Sequence, residues 1–120
     1  GAGAMTATYA ALLDSLTRLR GIRGAMVVAA EDGLVVAESL MGGVKGTALA
    51  AMAANLAARV DELAGRGRIG GPRFLHLQGQ EGALLVAPAP SELLLVAVAA
   101  RDVPLGLIRL EMLRLAERLA

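Results

Sequence analysis

Gly65-Arg66-Gly67-Arg68-Ile69-Gly70 has the spacing G-x-G-x-x-G. In a dinucleotide-binding unit, such glycines let the backbone approach a pyrophosphate at a helix N-terminus. That chemistry needs a strand before the motif and a helix after it. Here a helical pattern precedes and a strand pattern follows, so the stretch reads as a mobile loop with two solvated arginines. Gly42-Gly43-Val44-Lys45-Gly46-Thr47 holds the letters of a phosphate loop in an order that cannot bring lysine to phosphate and hydroxyl to metal, and reads as a helix start. His76 is the single histidine, and no cysteine can join it as a metal ligand. It lies between Leu75 and Leu77 on a strand, pointing to the opposite face, with no base-positioning partner nominated. Ser15, Ser39 and Ser91 lack the context of an activated nucleophile. The carboxylates of Glu31-Asp32, Asp61-Glu62 and Glu81 fall in turns or at a helix end, where capping and solubility explain them. No catalytic, cofactor-binding or metal-binding set emerges, and an enzyme is the class with least support.

The bulk composition narrows the classes further. The chain has 120 residues, enough for one domain with a modest core. Its net charge of +1 gives no field to draw in nucleic acid, and Tyr9 and Phe74 are its only aromatic residues, too few to stack bases. Apolar residues make up 56% and the mean hydropathy is +0.60, yet no apolar run is long enough to insert in a membrane. Such an excess points to surface covered by a partner or a second copy. The absence of cysteine and of a secretion signal points to a cytoplasmic protein. Gly1-Ala2-Gly3-Ala4 ahead of Met5 reads as an expression scar, leaving residues 5–120 as one domain.

Periodicity sets the elements. Tyr9, Leu12, Leu13, Leu16 and Leu19 predict a helix over 7–20. Two apolar strands, 25–31 and 34–39, flank Asp32-Gly33, a pair suited to a tight two-residue hairpin turn. A second helix is predicted over 44–64 and strands over 73–78, 83–87 and 92–99, with Pro88 as a strand terminator. A last helix follows over 103–119, with Pro104 in its first turn. Short connections imply antiparallel pairing, and strands apolar on both faces imply helices on both faces of the sheet.

The second helix is the most informative element. Leu49, Met52, Leu56, Val60 and Leu63 form one stripe, read as its core face. The opposite face carries Thr47, Ala51, Ala54, Asn55 and Ala58, without charge. This is either a bland alanine surface or a face packed closely against another helix. With no spare helix in the chain, the simplest partner is the same helix of a second subunit related by a two-fold axis.

In this order the elements resemble a known family. "LRGIRGAMVVAAEDGLVVAES", Leu19 to Ser39, resembles the opening of the Roadblock (dynein light-chain) domain: a helix, a glycine before the first strand, then an Asp-Gly-Leu hairpin. An Ala-rich central helix, a Gly-rich loop, three strands and "VPLGLIRLEMLRL" continue the likeness to Ala120. The resemblance implies an α-β-β-α-β-β-β-α three-layer sandwich. Its five-stranded antiparallel sheet would have the central helix on one face and the first and last helices on the other. It also implies homodimerisation through the central helix and third strand, which maps onto Thr47, Ala51, Ala54, Asn55 and Ala58 together with Phe74 and His76. Prokaryotic members commonly sit beside Ras-like small GTPases, and a gliding-motility regulator of this kind activates its GTPase. The family has no invariant catalytic residue to carry over.

The expectation is therefore a homodimeric, non-catalytic adaptor or regulator of a small Ras-like GTPase, with stimulated hydrolysis as one form of that regulation. Arg59, Arg66 and Arg68, at or beyond the far end of the central helix, are the candidate GTPase contacts. Two other readings remain: a structural dimerisation module without nucleotide dependence, and a sensor with a small ligand between sheet and helix.

Overall fold

The computed structural model describes residues 2–119, with side chains from Thr8 onward. The elements are α1 (Ala2–Thr17), β1 (Ile22–Ala29), β2 (Val35–Leu40), α2 (Gly46–Arg66), β3 (Leu75–Gln78), β4 (Ala83–Ala89), β5 (Leu93–Ala99) and α3 (Leu105–Ala116). The order is the expected one. Helix α1 runs through residues 2–4 of the expected scar, and Gly1 lies outside the described residues. The strands form one antiparallel sheet in the order β2-β1-β5-β4-β3. The first hairpin and the β3-β4-β5 meander therefore meet in the middle, and β2 and β3 are left at the edges.

Alternation along the central strands divides the core into two layers. Ala25, Val27, Leu85, Leu95 and Ala97 face α1 and α3, where they meet Leu13, Leu16, Ile108, Met112 and Leu115. Met26, Val28, Leu84, Val86, Leu94 and Val96 face α2. Helices on both faces explain why β4 and β5 carry no polar side chain and β1 carries only Arg23, near its start.

The face of α2 that meets the sheet differs from the expected one. Ala50, Ala53, Ala54 and Ala57 are buried against the strands, while Met52 and Leu63 of the proposed core stripe are 41% and 61% exposed. The sheet surface beneath α2 already presents large side chains, so the remaining gap takes alanines and excludes leucines. Small residues do allow a close approach here, but to the chain's own sheet.

The close approach extends to the first hairpin. Its connection is longer than a two-residue turn: Val28 pairs with Val35, and the Ala29 amide donates to the Leu34 carbonyl at 2.9 Å. Asp32 Oδ1 accepts from the Leu34 amide at 3.1 Å, and Gly33 takes φ +74°. A Cβ on Gly33 would lie 3.1 Å from the Ala51 Cα, so both the backbone angle and the space demand glycine. Gly33→Ala is expected to cost about 1–3 kcal/mol, read as a lower urea midpoint with an unchanged slope.

Two strand details correct the expected pattern. Strand β4 does not stop at Pro88 but continues to Ala89, pairing Pro88 with Leu94. Strand β3 ends opposite Val86, so β4 is an edge at Pro88 and the missing amide costs no ladder bond on that side. In β2, Val27 pairs with Ala37 but Val28 pairs with Val35, which leaves Val36 as an unpaired bulge residue.

Candidate functional site

The described residues include no buried polar or charged side chain. Among them, no group of three or more His, Cys, Asp or Glu is placed to hold a metal. What the fold does present is apolar surface. Helix α2 buries Ala50, Ala53, Ala54 and Ala57 against the sheet, so its larger residues are turned outward and sideways: Leu49, Leu56 and Val60 are half-buried, and Met52 and Leu63 are exposed. Strand β3 lies beside them, and Leu49, Met52 and Leu77 line one open cleft. Leu77 is 44% exposed. The stripe and the strand thus form one continuous surface.

Strand β3 pairs only with β4, so its outer edge carries amide and carbonyl groups without strand partners. An edge of this kind is a template for another strand. The two edges of the sheet are unlike. The bulge at Val36 bends β2 away from flat pairing, whereas β3 has no bulge, no proline and no charged residue over Leu75–Gln78.

The residues expected at an interface separate into three sets. Thr47, Ala51, Asn55 and Ala58 are exposed on α2, on the flank away from the Leu/Met stripe. Ala54 is 7% exposed and packs over Gly33, so its side chain is used inside the protomer. Phe74 and His76 lie on the α3 side of the sheet. The Arg109 guanidinium stacks over the Phe74 ring at 5.8 Å from its centroid, and His76 Nε2 is 3.0 Å from Gln78 Oε1. Met52, Leu56, Leu63 and Leu77, outside the expected set, are larger apolar side chains that the fold leaves partly or largely open.

The arginines are also distinguished. Arg59 donates to Asn55 at 3.2 Å and Arg66 pairs with Glu62 at 2.8 Å, each one turn back on α2. Arg68 stands in the loop at φ +59°, its guanidinium without an ion pair or hydrogen bond to a described residue. The glycine-rich motif follows α2, as its order implied. Its amides close the helix: Gly67 donates to the Leu63 carbonyl, Arg68 to Gly65 and Ile69 to Ala64. They cap the negative end of a helix, the opposite of a phosphate cradle. No described helix is long and apolar enough to cross a membrane.

The fold thus presents a doubly covered sheet with an open edge strand and an apolar helix flank beside it. The chain belongs to the Roadblock/LC7 domain family, whose model matches residues 8–99. Protein MJ1340 of Methanocaldococcus jannaschii is 35% identical over 108 residues, covering 90% of this chain and 93% of the relative. A solved structure of MglB with a tetrameric arrangement superposes with a TM-score of 0.88 at 28% identity, covering 98% of this chain and 88% of that one. The gliding protein MglB of Thermus thermophilus gives 0.86 at 27% identity, covering 98% and 89%.

Proposed function

We propose that the chain forms a homodimer through the β3 edge and the outer stripe of α2, and that the paired α2 helices regulate a small Ras-like GTPase without catalysing a reaction of their own. One observation carries the dimer: an apolar stripe that the sheet does not cover runs directly into an edge strand with nothing to blunt it. A two-fold axis normal to the sheet beside β3 satisfies both at once, joining two sheets into one through antiparallel β3 strands and laying stripe against stripe on the same face. This surface replaces the alanine face as the proposed contact. The remaining expected residues, Thr47, Ala51, Asn55 and Ala58, lie on the far flank of α2, open to a further partner. The GTPase partner is supported by the resemblance to the prokaryotic Roadblock branch and by the similarity to MglB.

Regulation requires that the dimer bind one nucleotide state better than the other, because only differential affinity shifts a population. Capture from native lysate with GDP and with a non-hydrolysable GTP analogue tests this. A small GTPase recovered in one state only is the expected result. A stable dimer that captures none in either state would instead make the chain a structural dimerisation module. Where regulation takes the form of stimulated hydrolysis, Arg68 is the strongest of the three arginines, since Arg59 and Arg66 are engaged within α2. Arg68→Ala is then expected to reduce stimulated turnover by at least about tenfold while leaving GTPase binding intact. Loss of neither turnover nor binding would remove the arginine from the mechanism.

A further inference from the structure

A second apolar groove lies away from the proposed dimer surface. It opens between the C-terminal half of α2 and the ends of β1, β4 and β5, with a volume of about 470 Å³. Ala54, Ala57, Ala58 and Leu94 line it. These helix positions are on the other side of α2 from Met52, Leu56 and Leu63. The volume is within the range of pockets that enclose ligand groups.

The charge around this groove has one sign. Glu31, Asp61 and Glu92 reach it from the β1–β2 connection, from α2 and from the β4–β5 turn. All three are exposed, none forms an ion pair with a described residue, and no lysine or arginine lines the groove. The chain as a whole carries +1, so this negative mouth runs against the overall balance. The two turns are also fixed relative to each other, because the Ala30 amide donates to the Glu92 carbonyl at 2.9 Å. A rim held in place before binding lowers the ordering cost of the complex.

We propose that this groove is a docking site for an arginine beside an aliphatic residue in an extended segment of a protein partner. An arginine stem is apolar and covers alanine surface well, while its planar head offers donors to more than one carboxylate. A phosphate-bearing ligand or an anionic lipid surface would meet three like charges. The proposal does not depend on the partner being a GTPase.

The test uses the full chain, isotope-labelled for amide resonances, titrated with acetyl-Leu-Arg-amide. The expected result is saturable shifts at Ala57, Ala58, Glu92 and Leu94. The matching citrulline peptide, which lacks the charge, should produce none. The variant Glu31→Gln/Asp61→Asn/Glu92→Gln keeps the apolar lining and should weaken binding by roughly tenfold, the combined loss of three exposed charge contacts. Glu31→Gln alone, a surface change in a turn, supplies the same comparison at smaller amplitude should the triple variant not fold. Equal shifts with citrulline, no weakening in either variant, or shifts centred on Met52 and Leu77 would overturn the proposal. So would groove shifts that grow with protein concentration without peptide and vanish in Arg68→Glu. That outcome would give the groove to the Arg68-Ile69 loop of a second copy, where Ile69 is 84% exposed.

Discussion

Ala53→Arg is expected to lower the free energy of unfolding by about 3–5 kcal/mol, the range for an uncompensated buried charge. Ala53 has no exposed surface and faces the layer of Met26, Val28, Leu84, Val86, Leu94 and Val96. An arginine there must push α2 off the sheet or leave its guanidinium among apolar side chains. Either outcome is a large share of the ~5–15 kcal/mol that holds a typical domain together. Urea unfolding followed by circular dichroism checks it. A midpoint close to that of the parent chain would mean that the alanine face does not rest on the sheet. Ala54→Arg, a natural choice for splitting a dimer if the alanines were the contact, should likewise act first on the fold.

Met52→Glu is expected to do the reverse, leaving the fold intact and separating the subunits. Met52 is 41% exposed in the protomer, so the carboxylate stays in water in the free chain. In the proposed dimer it would sit at the centre of the apolar stripe, opposite its own copy. A central interface side chain of this kind typically carries about 2–4 kcal/mol, or roughly 30- to 1,000-fold in the dimer dissociation constant. Sedimentation equilibrium reads the mass directly, and an unchanged circular dichroism spectrum separates dissociation from unfolding. If Met52→Glu stays a dimer and Ala51→Glu does not, the contact lies on the alanine flank of α2.

These two variants mark where the sequence was legible and where it was not. The sandwich could be read because its signals are local. The apolar runs of β1, β4 and β5 announce a sheet covered on both faces, and Asp32-Gly33 and the glycines after Arg66 mark connections. The orientation of α2 could not be read in this way. A stripe of Leu49, Met52, Leu56, Val60 and Leu63 looks like a core face when the helix is considered alone. Which stripe turns inward depends on the volume left above the sheet, and that volume is set by residues far away in sequence, such as Met26 and Leu94. Pro88 shows the same limit. Proline argues against a central strand, but β4 changes from central to edge where β3 ends. The β3 strand of the proposed contact came from the resemblance, whereas the apolar flank proposed beside it could be located only on the packed helix.

The bulge at Val36 has a consequence for how many copies can join. A sheet with two flat edges is open-ended: each added copy exposes another edge, and growth has no natural stop. With a bulge in β2 and none in β3, each protomer of the proposed dimer would have one productive edge and one terminal edge, and two copies meeting β3 to β3 would leave only terminal edges outward. In the proposed dimer, one unpaired residue would thus help to set the stoichiometry. A chain with Val36 deleted regains a regular β2, and light scattering should then show growth with concentration where the parent chain reaches a plateau.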